Sequence, residues 1–197
     1  MIDKIPVQRG QKVSRKQLLF KLRSGVQEAN VALGKVKAEF AYRNKERNTE
    51  LYGDELLSTH ERDEVETEAL VALSELRVAE QTLEMRSVFS PVNGVVIERH
   101  YSAGEYISDE SVVEIAVLNP LYVEVLMPYE NFRRHAVGDK LQVNLAEPLS
   151  SEHIAKITII DPIIDSASGT YRMRLELPNK GNAIPAGVPC QIAVVSQ

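Results

Sequence analysis

Four histidines, a pair of aspartates and one cysteine are the side chains of this 197-residue chain whose types suit chemistry. His60, His100, His135 and His153 stand far apart with no His-x-x-x-His spacing, so no metal centre on a helix face is expected. Asp161 and Asp165 are four residues apart, a spacing that would suit paired carboxylates in acid and base catalysis. Pro162 between them and the turn-rich Ser166-Ala167-Ser168-Gly169 after them indicate a strand-to-loop corner instead. Cys190 alone excludes an internal disulfide or a multi-thiolate site, and its place in the alternation Val188, Cys190, Ile192, Val194 marks a small buried hydrophobe. Met85, Met127 and Met173 are scattered, so no soft-metal cluster is indicated. The reading assigns no catalytic, cofactor-binding or metal-ligating residue and expects a protein that is not an enzyme.

Composition narrows the class. Hydrophobic content of 44% with 26% charged residues is ordinary for a folded protein. A formal net charge of −5, with no basic cluster interleaved with aromatics, argues against nucleic acid as a partner. There is no run of 18 apolar residues, and the N-terminus lacks the basic, apolar and small-residue order of a signal peptide.

What positions these residues is a long helical pattern from Ser24 to Ser87, flanked by a repeat. Before it stands Val7-Gln8-Arg9-Gly10-Gln11-Lys12-Val13-Ser14 with Leu18-Leu19; after it stands Tyr101-Ser102-Ala103-Gly104-Glu105-Tyr106-Ile107-Ser108 with Val112-Val113. From each glycine, an apolar residue, a serine and an apolar pair recur at the same offsets. Two halves of one small domain therefore flank an insertion. Ser90-Pro91-Val92-Asn93-Gly94-Val95-Val96-Ile97 has no counterpart in the first half, which implies a domain that begins upstream of Met1.

The insertion reads as an antiparallel helical hairpin with coiled-coil spacing on both arms. Val26, Ala29, Leu33, Val36 and Phe40 are the expected inward row of the first arm; Val65, Ala69, Ala72, Leu76, Ala79 and Leu83 are that of the second. Gly53 suits a helix end, and Ser58-Thr59-His60-Glu61 fits a capping box, so the tip spans about Tyr52 to Ser58. Lys35, Lys37, Arg43, Lys45 and Arg47 load the end of the first arm, and Glu61, Asp63, Glu64, Glu66 and Glu68 load the start of the second. These charges suit the helix dipoles and would face one another in an antiparallel pair. Beyond Asn119 the pattern turns to strands, at Leu121–Met127, Leu141–Leu145, Ile154–Ile160, Thr170–Leu177 and Val188–Val195, with one or two helical turns between Tyr129 and His135. Short strands with turn signals between them indicate a small antiparallel β-barrel.

At this point a resemblance becomes specific. Arg9-Gly10-Gln11-Lys12-Val13 with Gln17-Leu18-Leu19, and Ser90-Pro91-Val92-Asn93-Gly94-Val95-Val96 with Ala103-Gly104-Glu105-Tyr106-Ile107, resemble the split lipoyl-like domain of HlyD-type membrane fusion proteins. The segment from Ile160 to Arg174, with Leu177-Pro178-Asn179 and Pro185-Ala186-Gly187, is similar to that family's β-barrel signature. The implied fold is mixed α and β and multidomain: a long antiparallel α-helical hairpin inserted in a split lipoyl-like β domain, followed by a small antiparallel β-barrel. The expected divisions are 1–22 and 88–118 for the lipoyl-like halves, 23–87 for the hairpin and 119–197 for the barrel.

The resemblance implies a periplasmic adaptor that bridges an inner-membrane efflux transporter, RND- or ABC-linked, and a TolC-type outer-membrane channel, exporting drugs or other small molecules. It also implies self-association into a ring, a hexamer or trimer of dimers, and an inner-membrane anchor through a segment outside this chain. Family members that engage such channels carry an Arg, a Leu four residues on and a Ser seven further across the tip; Arg47, Leu51 and Ser58 match those spacings. Two other readings stand beside it. A biotinyl or lipoyl carrier would need a lysine at an exposed turn, yet Lys12, Lys16 and Lys21 lie in no Asp-Lys-Ala or Met-Lys-Met context. A coiled-coil scaffold without a transport role would explain the hairpin alone.

Overall fold

The computed structural model describes the backbone of residues 1–53 and 59–193, and the side chains of 1–49 and 60–193. The chain is mixed α and β and divides into two compact units, residues 1–91 with 96–114, and 92–95 with 115–197.

The first unit contains β1 (Ile2–Lys4), β2 (Lys12–Val13), β3 (Leu18–Leu22), the helices α1 (Gly25–Gly53) and α2 (Thr59–Glu84), and β4 (Ser87–Phe89). Strands β5 (Gly94–Arg99) and β6 (Val113–Ala116) follow. Two three-stranded sheets form, in the orders β1-β3-β4 and β2-β5-β6. In each sheet, strands from before the helices pair with strands from after them. Around them, Lys16 N–H donates to Ser90 O at 2.8 Å and Gly10 N–H to Val96 O at 2.8 Å, while Ile2 N–H donates to Glu105 O at 2.8 Å. The two halves of the repeat are thus hydrogen-bonded to one another. Its glycines share a conformation: Gly10 has φ of 82° and Gly104 of 90°, the left-handed region in which a side chain is strained.

The helices run antiparallel. Lys37 meets Glu75 at 3.4 Å and Lys45 meets Glu66 at 2.7 Å, so partners move down one arm as they move up the other. At 29 and 26 residues the arms reach roughly 43 and 39 Å at about 1.5 Å per residue. Their shared core consists of Ala38, Ala41, Ala69 and Ala72, with Leu76 against it. Among the described residues no helix is long and apolar enough to cross a membrane.

The second unit is built on β7 (Leu121–Pro128), β8 (Lys140–Leu145), β9 (Glu152–Asp165), β10 (Thr170–Leu177) and β11 (Cys190–Ala193), in the order β11-β8-β9-β10-β7. A single 3-10 turn, Tyr129–Asn131, follows β7. Alternate residues of β10 fill the core: Tyr171, Met173, Leu175 and Leu177 are all buried, against Leu141, Val143 and Ile157. Phe132 meets the Tyr171 ring edge-to-face at 5.1 Å, and the Tyr171 hydroxyl donates to Asn131 O at 3.1 Å. Among the described residues β7 and β11 remain the edges of the sheet. A cavity of about 340 Å³ is lined by Leu121–Glu124 of β7 and Ile184–Cys190 leading into β11.

The corner expected at Asp161–Asp165 lies elsewhere. Strand β9 continues through Pro162 to Asp165, and its pairing with β10 slips there, from Tyr171 opposite Ile164 to Met173 opposite Ile160. Proline lacks the N–H that a ladder needs, and the bulge is where that loss is tolerated. The turn comes after Asp165, whose Oδ1 accepts the N–H groups of Ala167 at 2.8 Å and Ser168 at 3.1 Å. Those two backbone donors hold its carboxyl below the ordinary aspartate range. Asp165 is a turn-forming residue.

Candidate functional site: the tip and outer faces of the helical pair

The inward row of α1 is not the one that apolar spacing indicates. Val26, Leu33, Val36 and Phe40 are 69%, 58%, 64% and 54% exposed, while Val31, Ala38 and Ala41 are buried. On α2 the expected row does face inward: Ala69 and Ala72 are buried, and Val65, Leu76, Ala79 and Leu83 are half-buried. Both α1 rows satisfy the three-and-four spacing; what separates them is size. The chosen row contains Gly34, where a Cβ would stand 3.2 Å from the Leu76 Cα. Small residues let the two backbones approach closely, and the larger apolar residues are left outside.

Consequently the helical pair carries apolar surface on its outer faces. Besides the α1 row, Leu70, Val71, Leu73 and Val78 of α2 are exposed. Thr67, Leu70, Val71, Ser74, Glu75 and Val78 line an open groove of about 490 Å³ along α2. A pair of helices that needed only its own seam would present polar residues at such positions. Exposed apolar rows on both arms are the kind of surface that interaction sites use.

Toward the tip the surface is polar. Lys45 Nζ donates to Glu66 Oε1 at 2.7 Å, and this hydrogen bond, with the lysine charge behind it, lowers the Glu66 carboxyl below the usual range. Lys45, Asn48, Thr49, Arg62, Val65 and Glu66 line a groove there. Arg47 is exposed in the last turns of α1 and forms no hydrogen bond or ion pair among the described residues. Leu51 lies one helical turn further along α1, with its side chain outside the described residues. Ser58 falls outside the described residues altogether; α2 begins immediately after it, at Thr59.

The lysines considered for a carrier role are placed differently from one another. Lys12 is in β2, Lys16 sits in a turn with φ of 68°, and Lys21 in β3 pairs with Glu28 at 3.2 Å. Cys190 is half-buried in β11 opposite Leu145, and burial raises its thiol pKa. Sequence reasoning missed the exposed rows because it assigned the α1 row to the seam. The signal that locates the seam is the run of small residues Gly34, Ala38 and Ala41 at helical spacing.

Residues 120–197 match the family described as the CusB-like β-barrel domain. An efflux pump periplasmic linker protein of Pseudomonas putida, MepA, is 22% identical over 195 residues, covering 91% of this chain and 51% of the relative. An uncharacterized protein of Haemophilus influenzae is 20% identical over 189 residues, covering 95% of this chain and 50% of its own. The chain thus spans about half the length of the curated relatives it matches. Among solved structures, the membrane fusion protein Spr0693 of Streptococcus pneumoniae superposes with a TM-score of 0.76 at 19% identity, covering 98% of this chain and 90% of the other. A MacA-MexA chimeric protein containing the Pseudomonas aeruginosa MexA α-hairpin domain gives 0.80 at 19% identity, covering 95% and 70%.

Proposed function

We propose that this chain is a periplasmic adaptor of the membrane fusion protein type, linking an inner-membrane efflux transporter to a TolC-type outer-membrane channel. Its cargo would be drugs or other small molecules. The efflux linkers among its relatives and the membrane fusion folds among its structural neighbours support this reading. The observation that carries it is the pair of outward apolar rows on a helical stalk roughly 40 Å long. A stalk of that kind transmits nothing alone; it fits a protein whose copies stand side by side.

In this proposal the α1 row with Val36 and Phe40 meets the α2 row with Leu70 and Val78 of the next copy. Because the two rows differ, the contact is head-to-tail, and with a rotation that closes it makes a ring. Arg47, Leu51 and Ser58 form the surface that docks on the channel. Segments 1–22 and 88–118 act as one split lipoyl-like domain, 23–87 as the hairpin and 119–197 as the barrel. The protein works in the periplasm, anchored to the inner membrane by a part beyond this chain, and does no chemistry of its own.

The test is crosslinking in cells with the complete gene. Val36→Cys and Val78→Cys together, in a Cys190→Ser background, should give a ladder of disulfide-linked oligomers under mild oxidation. Either cysteine alone should give no more than a weak dimer. Monomer only, at normal expression, would show that the two rows do not face each other.

A further inference from the structure

We propose that Glu98, His100 and Glu114 form a binding site for a divalent transition-metal cation of the zinc type, on the outer face of the β5–β6 ladder. Glu98 and His100 are alternate residues of one extended segment, so their side chains project from the same face. The His100 N–H donates to Val112 O at 3.1 Å, which keeps this segment beside β6, where Glu114 stands. The imidazole nitrogen and the two carboxylates come within 4.8 Å of one another, with His100 Nε2 3.0 Å from Glu114 Oε1.

These distances suit a shared cation. Zinc bonds to nitrogen and carboxylate oxygen of about 2.1 Å put tetrahedral ligands roughly 3.4 Å apart, a spacing that falls between the 3.0 Å of His100 and Glu114 and the 4.8 Å within which all three groups lie. One imidazole with two carboxylates is a set that zinc accepts, whereas magnesium and calcium prefer oxygen alone. Ser111 Oγ donates to Glu114 Oε1 at 3.3 Å and helps to orient that carboxylate, as outer partners of metal ligands do.

Charge points the same way. With a neutral imidazole the cluster carries two negative charges, and Glu98 has no ion pair among the described residues. Arg9 and Arg99 line a shallow pocket with Glu98 and Gln8, yet neither pairs with it. A simple His100–Glu114 ion pair would leave Glu98 without a purpose in the cluster. A dication uses all three groups.

The test is calorimetric titration of the tag-free, EDTA-treated protein with zinc chloride at pH 7.5, and separately with magnesium chloride. One zinc per chain and no magnesium binding are expected. His100→Ala and Glu98→Gln should each weaken zinc binding at least tenfold, and His153→Ala should leave it unchanged. In a proton spectrum the His100 ring signals should shift with zinc in the wild type and not in Glu98→Gln. No saturable zinc binding, magnesium binding as tight as zinc, or a titration undisturbed by His100→Ala or Glu98→Gln would overturn the proposal. So would loss of the zinc site in His153→Ala.

Discussion

Gly34 of α1 stands so close to Leu76 of α2 that a methyl group at the glycine would lie 3.2 Å from the Leu76 Cα and 3.3 Å from its Cδ1. The contact sets the spacing of the two helices at mid-length. Gly34→Leu should therefore force the arms apart and lower stability by about 1–3 kcal/mol, the usual effect of overpacking. Helix content should not fall, since leucine forms helix better than glycine. Far-UV circular dichroism with a thermal melt decides it: an unchanged or raised midpoint would show that the seam has room.

Asn179 is the most committed polar side chain of the second unit. It is buried, its Nδ2 donates to Leu118 O and Ile184 O at 2.8 Å each, and its Oδ1 accepts from Ile184 N–H at 2.9 Å. Asn179→Ala removes all three side-chain hydrogen bonds at once and leaves the Leu118 carbonyl and both backbone groups of Ile184 without those partners. At about 1–3 kcal/mol for an unsatisfied buried group, the loss should reach several kcal/mol and lower the urea midpoint clearly. Asn179→Asp keeps the acceptor for Ile184 N–H but turns a buried carboxylate oxygen onto the Leu118 and Ile184 carbonyls, so at neutral pH it should cost at least as much as alanine. A midpoint for Asn179→Ala within error of the wild type would remove this residue from the list of supports.

Acid should weaken the fold through a few surface carboxylates. Glu66 is held low by Lys45, Glu124 by Arg174, and Asp165 by the backbone donors of Ser168 and Ala167. A carboxyl depressed in the folded state stabilises above its unfolded pKa, about 4.3 for Glu and 3.9 for Asp, and that contribution is lost as pH falls through the folded value. The melting temperature should therefore decline below about pH 4. Glu66→Gln should flatten part of that decline by lowering the melting temperature slightly at pH 7 and leaving it unchanged in acid, where the wild-type carboxyl is protonated. A variant with the same acid slope as the wild type would mean that the Lys45 pair contributes nothing, as many exposed pairs do.

Strand β10 was legible because its apolar residues occupy one face and no rival face, and the α2 seam because Ala69, Ala72, Leu76, Ala79 and Leu83 keep the three-and-four spacing even beside the exposed Leu70, Val71, Leu73 and Val78. Tyr171, Met173, Leu175 and Leu177 alternate with charged or polar residues, and each is buried. The α1 seam was not legible by hydrophobicity, since Leu33, Val36 and Phe40 form a stronger row than Gly34, Ala38 and Ala41. Close approach of two backbones favours the weaker row. Pro162 reads as a strand end unless the bulge opposite Arg172 is known. The meeting of Glu98 and His100 with Glu114 depends on which strands are neighbours, and spacing along one chain does not contain that. For the tip, only the match of Arg47, Leu51 and Ser58 to the family spacing was available.

That tip is where a small change should cost the most function and the least fold. Leu51→Asp puts a carboxylate where the proposed docking contact needs an apolar residue, and a charge buried without a partner is strongly unfavourable. Ser58→Arg adds a long cation to the proposed docking residues, and since Ser58-Thr59-His60-Glu61 reads in sequence as a capping box, the expected cost to the fold is that of a helix cap, roughly 0.5–2 kcal/mol. Both variants should abolish efflux from the complete gene while their melts stay near that of the wild type. Arg47→Ala should weaken efflux less, because a charge at the rim of a contact mainly affects the rate of association. Drug or detergent susceptibility of strains carrying each variant, beside circular dichroism melts of the purified proteins, separates docking from folding. Variants that fold normally and still confer full resistance would show that the channel is not met by this end of the stalk.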